Sequence, residues 1–208
     1  MRGQFITLEG MDGAGKSTHL QWLAQFLGRR GIKVKLTREP GGTALGEKLR
    51  KLMLHGKTRP HPETETLLMF AARREHLERV IVPALEAGAW VLCDRFTDAT
   101  YAYQSGGSGV AWDRIAVLER WVQQEMQPDL TVVFDVDPAV GRLRARRAKR
   151  PDRFETERGA FFRRVREAYL RRARECPERV RVIDANGKVA RIQEQLEVLF
   201  LAYCLKAS

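Results

Sequence analysis

The run Phe5-Ile6-Thr7-Leu8 leads almost directly into Gly10-Met11-Asp12-Gly13-Ala14-Gly15-Lys16-Ser17-Thr18, which satisfies GxxxxGK[ST] between a strand-like and a helix-like segment. Few short patterns constrain a fold as strongly. Its glycines let the backbone wrap closely round an anion, successive N–H groups point inward, and the following helix adds its positive end. By the mechanics of this loop, Lys16 reaches the β- and γ-phosphates of a nucleoside triphosphate and the Ser17 hydroxyl ligates Mg²⁺. Asp12 is out of place on that account. A carboxylate in a loop built for phosphate points to a second substrate.

The rest of the chain continues the alternation. Phe5–Glu9 reads as a strand and Lys16–Arg30 as a helix, followed by a strand at Lys33–Thr37. Leu45, Leu49 and Leu52 recur at helical spacing over Thr43–His55, and a long helix is predicted from Glu63 to Ala87, bent at Pro83. Trp90–Cys93 is a short buried strand, followed by a Gly-rich turn at Gly106–Gly109 and a helix through Trp121. Leu130–Val136 and Val180–Ile183 are further strands; Pro138–Arg147, Glu157–Glu175 and Ile192–Leu205 are helices. Strands alternating with helices give an α/β fold in three layers, with a parallel sheet of about five strands covered on both faces. With 208 residues and no linker-like stretch or repeat, 1–208 reads as a single domain.

Charge raises a competing possibility. The net charge is +11, and basic residues are densest in RLRARRAKRPDR, from Arg142 to Arg153. That run suits a nucleic-acid patch, a solvated face, or a mobile lid at about 142–155 that closes over polyphosphate. No recognition-helix pattern or RNA-binding motif accompanies it, so nucleic acid is not the expected partner. No apolar run is long enough to span a membrane, and nothing at the N-terminus reads as a signal peptide. Three scattered cysteines, Cys93, Cys176 and Cys204, suggest reduced thiols in a cytoplasm.

Further motifs stand at strand ends, where an open parallel sheet binds ligands. Arg38, in Thr37-Arg38-Glu39-Pro40-Gly41-Gly42-Thr43, is well sited for an anion. Asp94-Arg95-Phe96 offers a carboxylate for Mg²⁺ or its waters and a guanidinium for phosphate. In Leu67-Leu68-Met69-Phe70-Ala71-Ala72-Arg73-Arg74, the pair Phe70 and Arg74 is four apart, so both could project from one helical face towards a planar base. Asp135 resembles a Walker-B acid, whereas Asp137-Pro138 reads as an N-cap and first helical residue.

Taken in order, GMDGAGKST, TREPGGT, LLMFAARR, CDRFTDATYAYQ, PDLTVVFDVDP, the basic run ending PDRFE and the late VIDAN resemble the thymidylate kinase family over essentially the whole chain. The resemblance implies a P-loop nucleoside monophosphate kinase fold, ATP and Mg²⁺ as donor and cofactor, dTMP as acceptor, and a homodimer. It also assigns roles: Arg38 holds the acceptor phosphate, Arg95 sits between donor and acceptor, Phe70 stacks on thymine and Arg74 donates to its exocyclic oxygen. Thr100 and Gln104 lie where the family contacts the base, and Tyr103 where an aromatic ring disfavours a 2′-hydroxyl. Asp12 then accepts from the sugar 3′-hydroxyl, which supplies the reason for the acid in the loop. Gly13 stands where some members carry arginine, so the catalytic arginine is expected in the lid. Arg153 is the leading candidate, with Arg147 and Arg150 beside it. The residue before Arg74 is often Asp or Asn in the family and here is Arg73, which leaves either arginine open as the base contact.

Overall fold

The computed structural model describes the chain except for Met1, Lys57, Arg59, residues 149–158 and Ser208. Five parallel strands form one sheet: β1 (Phe5–Glu9), β2 (Val34–Arg38), β3 (Trp90–Asp94), β4 (Leu130–Asp135) and β5 (Val180–Asp184), in spatial order β2-β3-β1-β4-β5. β1 is central, and all five of its residues are buried. Its alternate side chains go to opposite faces: Phe5 packs with Leu77, Ile81 and Leu85, whereas Ile6 and Leu8 join the larger core with Leu23, Phe26, Leu196 and Phe200. The register sets Leu8 and Arg38 both opposite Asp94, so the carboxyl ends of β1, β2 and β3 finish level.

The helices follow the predicted order: α1 (Lys16–Gly28), α2 (Ala44–His55), α3 (Pro62–His76), α4 (Val82–Glu86), α5 (Thr97–Thr100), α6 (Trp112–Gln123), α7 (Pro138–Ala148), α8 (Gly159–Glu175) and α9 (Val189–Ala207). The long helix expected from Glu63 is not continuous. A π-helical turn, Leu77–Ile81, separates α3 from α4. Pro83 has no N–H for the carbonyl of Arg79, and the widened turn just ahead of it accommodates that loss. A second π-helical turn, Tyr101–Gly107, takes in the first two glycines of the predicted Gly-rich turn. It needs small residues because α8 crosses closely: a Cβ on Gly106 would sit 2.7 Å from the Ala168 methyl.

Beneath this end of the sheet lies a buried charge cluster. Asp98 accepts from Arg172 Nε and Arg179 Nη1, both at 2.8 Å, and the two guanidiniums, Arg179 first, hold its carboxyl at about 2 against the opposing effect of burial. Removing one partner would strand a buried charge, a cost of about 3–5 kcal/mol. Part of the positive charge that suggested nucleic acid is therefore internal framework. No helix among the described residues is long and apolar enough to cross a membrane.

Candidate active site

The loop after β1 is shaped by glycine at positions a side chain cannot occupy. Gly13 has φ +79°, and a Cβ there would lie 2.0 Å from the Gly141 carbonyl oxygen of α7. Position 13 therefore has no room for arginine while α7 packs across the loop. Lys16 is buried, and its Nζ donates to the carbonyls of Gly10 and Met11, both at 3.0 Å. Burial, and then the neighbouring Arg95, pull its ammonium below the ordinary lysine range. Those two carbonyls hold the amine in the cradle where phosphate oxygens would compete for it.

Ser17 Oγ donates to Asp94 Oδ2 at 3.3 Å, while Asp94 Oδ1 is buried without a partner. One hydroxyl and one carboxylate with an unused oxygen suit Mg²⁺, which characteristically takes few protein ligands and completes its shell with phosphates and water. Among the described residues no cluster of three or more His, Cys, Asp or Glu competes for a metal.

Arg95 has φ +72°, an uncommon backbone state for a residue with a side chain. Its guanidinium is fully engaged. Nη1 donates to the Gly10 carbonyl (2.8 Å) and Tyr169 Oη (3.1 Å), and Nη2 to Asp12 Oδ1 (2.8 Å) and Tyr103 Oη (3.1 Å). The next N–H, that of Phe96, donates to Glu9 Oε1 at 2.6 Å, pinning the turn from below.

Two depressions meet here. A polar cleft runs past Gly13–Thr18, Arg38, Asp94, Arg144 and Asn186–Val189. A smaller, more apolar pocket has walls that include Pro40, Leu54, Met69, Arg73, Phe96, Thr100, Tyr103 and Gln104. Asp12, Glu39, Arg50 and Arg95 line both, so the acid that was anomalous in a phosphate loop stands at the junction.

The wall contributed by α3 differs from the expectation by one residue. Arg74 points away from the pocket, donating to Glu78 at 2.6 Å, and Phe70 is buried among Tyr101, Val110, Ile115 and Val122. The pocket instead receives Met69 and Arg73. A step of one residue turns a helix by about 100°, so the i, i+4 spacing was sound but its phase was not. Arg73 is 2% exposed. Its Nε donates to Glu39 Oε2 (2.8 Å) and Nη2 to Thr100 Oγ1 (2.9 Å), with the guanidinium lying against the rings of Phe70 and Phe96. Its Nη1 is buried with no partner. Gln104, also in the wall, donates to Glu65 Oε1 at 2.8 Å. Met69, Glu39 and Phe96 were missed as site residues, while Arg73 stood open beside Arg74. The adjacent arginines of LLMFAARR and the acid of REPGGT were the available signals.

Arg38 lines the polar cleft rather than the pocket, held bidentately by Glu47 at 3.2 and 3.0 Å. Asp135, the Walker-B-like acid, is paired with Arg166, which donates to both its oxygens at 2.6 and 2.7 Å. Asp137 does cap α7, accepting from the Ala139 N–H at 2.7 Å. Arg144, from the basic run, donates to the carbonyls of Ala185, Asn186 and Gly187, fastening α7 to the loop after β5. Arg150 and Arg153 lie outside the described residues, as does the side chain of Arg147.

The sequence model of one family, described as thymidylate kinase, matches residues 8–196. Thymidylate kinase of Nitrosomonas europaea is 60% identical over 192 residues, covering 92% of this chain and 89% of the relative. The chain belongs to the thymidylate kinase family. Thymidylate kinase of Nitrosospira multiformis is 59% identical over 197 residues, with 95% of this chain and 96% of that one covered. The crystal structure of thymidylate kinase from Ehrlichia chaffeensis superposes with a TM-score of 0.76 at 35% identity, covering 96% of this chain and 99% of that one. The three-layer architecture with a five-stranded parallel sheet is thus the P-loop nucleoside monophosphate kinase fold of thymidylate kinases.

Proposed function

We propose that this chain transfers the γ-phosphoryl group of ATP to dTMP, releasing dTDP and ADP. The observation that carries the acceptor assignment is Arg73: a fully buried guanidinium on a small apolar pocket, with two of its nitrogens committed and Nη1 unpartnered. A pyrimidine carbonyl in that pocket would satisfy the donor. A base lacking it would leave the donor stranded, which gives strong discrimination. Thymine would lie against Met69, with Thr100 and Gln104 around its polar edge and its methyl towards apolar wall.

Asp12 would accept from the acceptor's 3′-hydroxyl, and Tyr103 would occupy the space a ribose 2′-hydroxyl needs. Arg38 would exchange Glu47 for the acceptor phosphate. ATP would lie along the polar cleft with its phosphates in the loop. Phosphoryl transfer asks for in-line placement and neutralisation of charge, and Lys16, Arg95 and a lid arginine, Arg153 first among Arg147, Arg150 and Arg153, would supply both. Ser17 and Asp94 would hold Mg²⁺, which would supply positive charge against the phosphates. The nucleophile is the acceptor's own phosphate oxygen, so no protein nucleophile is required.

The whole chain acting as one domain, with residues about 142–155 as its lid, completes this reading. A cytoplasmic homodimer with neither nucleic-acid nor membrane partner fits the family; Trp121, 76% exposed on α6, and Leu67 on the adjoining α3 offer it an apolar face. ADP release with ATP, Mg²⁺ and a panel of dTMP, ribose TMP, dUMP, CMP, UMP, AMP and GMP tests the assignment. Preference for dTMP over its ribose counterpart supports it. Flat selectivity overturns the acceptor, and no transfer overturns the reaction.

A further inference from the structure

α8 leads out of the basic segment and passes beneath the site, and one residue on its buried face reaches Arg95. Tyr169 is 1% exposed, and its Oη lies 3.1 Å from Arg95 Nη1 and 3.0 Å from Glu9 Oε2. Among the described residues Arg95 has four hydrogen-bond partners, and they divide into two kinds. Asp12 and Tyr103 line the pocket, and on the proposed reading an arriving nucleotide draws both towards its sugar. The Gly10 carbonyl and Tyr169 Oη are the other kind, since neither residue lines the pocket or the cleft. The Gly10 carbonyl belongs to the loop that must itself close on phosphate, so Tyr169 is the side-chain partner whose position does not depend on ligand.

We infer that Tyr169 is a positioning residue for phosphoryl transfer, holding the Arg95 guanidinium in its reactive orientation once Asp12 and Tyr103 have turned to the acceptor. The hydrogen-bond inventory allows it. A phenol oxygen has one proton and two acceptor sites, so it can accept from Arg95 while exchanging one hydrogen bond with Glu9, whichever of the two holds the proton. Burial, then Asp98, pushes Glu9 up to about 8, and burial, then Glu9, raises the Tyr169 phenol above its ordinary range, so near neutrality both keep their protons and Arg95 keeps its acceptor. The rest of α8 is braced as a support for such a residue: Arg166 grips Asp135, Arg172 grips buried Asp98, and Arg164 donates to the Gly106 and Gly107 carbonyls.

The inference rests on the proposed role of Arg95, and Tyr169→Phe, Arg95→Ala and their combination separate the two. Tyr169→Phe keeps the ring and is expected to lower kcat about tenfold, the scale of one hydrogen bond to a charged group, with KM for dTMP and ATP within about twofold of wild type. Because Tyr169 acts through Arg95, the double variant is expected to be no slower than Arg95→Ala alone. Val165→Ala, one turn earlier on the same buried face, is expected to lower the thermal midpoint and leave kcat at 25 °C unchanged. Wild-type kcat in Tyr169→Phe overturns the inference, as does multiplication of the two losses, or an equal kcat loss in Val165→Ala. Full turnover in Arg95→Ala overturns the role of Arg95 and the inference with it. Should the phenylalanine variant not fold, 4-aminophenylalanine at 169 keeps the ring and a donor for Glu9 but accepts poorly. The same kcat loss is then expected, and full turnover counts against Tyr169.

Discussion

The P-loop and the α3 wall of the small apolar pocket sit side by side, yet they were legible to very different degrees. In the loop, residue type and spacing state the geometry directly: glycines permit its backbone, and Lys16 is placed by the helix that starts at it. In α3, spacing specified that two residues four apart share a face, and nothing local said which face met the ligand. Met69 and Arg73 face the pocket, whereas Phe70 and Arg74, equally well spaced, do not. A motif made of backbone conformation is read locally. A motif made of helix phase is read only against the neighbour it packs on.

The largest effect tests the local region. Lys16→Ala is expected to lower kcat by about 10³-fold, the scale for removing a preorganised charge donor from a buried site. A loss below about tenfold would mean that the loop's charge is supplied elsewhere, and the most readable motif would be the one misread.

An intermediate effect tests the phase of α3. Arg73→Gln is expected to raise KM for dTMP by about 10- to 100-fold and to lower the thermal midpoint, because buried Glu39 loses its guanidinium partner and keeps His76. Arg74→Gln, losing an exposed pair with Glu78, should leave KM within about twofold of wild type and the thermal midpoint unchanged. The reverse ordering would restore the reading by spacing alone and place the pocket on the other face.

The smallest effect probes the boundary between the two kinds of region. Glu9 ends β1, immediately before the loop, but its partners Phe96 and Tyr169 lie 87 and 160 residues away. Its carboxyl is raised from 4.5 to about 8, so between those values the native state holds a proton that the unfolded chain has released. Its contribution is full below the lower value and is lost as pH rises to the upper one. Denaturant midpoints of wild type should therefore decline relative to Glu9→Gln from about pH 5 to about pH 8. A difference that does not change with pH would mean that Glu9 is ionised in the fold throughout.

Much else divided along the same line. The order of strands and helices, the parallel sheet and the N-cap at Asp137 follow from apolar periodicity and capping chemistry, which act over a few residues. The π-helical turns at Leu77–Ile81 and Tyr101–Gly107 did not, because the first adjusts α3 to Pro83 and the second answers to the close crossing of α8. Asp135 looked catalytic at a strand end until Arg166, 31 residues on, was found to hold it. The arginine count suggested a phosphate-tracking surface, whereas Arg172 and Arg179 close on Asp98 inside the fold and Arg144 ties α7 to the loop after β5.

The sequence by itself determined that a P-loop stands at the end of a central strand, and which family the chain belongs to, because those facts rest on backbone geometry and on residues adjacent in the chain. Only the tertiary structure decided that Arg73 rather than Arg74 reaches the pocket, that Gly13 lies under α7, and that Tyr169 stands behind Arg95. Each of those depends on which faces of separate elements meet. Packing settles that by burying apolar area and pairing polar groups across the whole molecule at once.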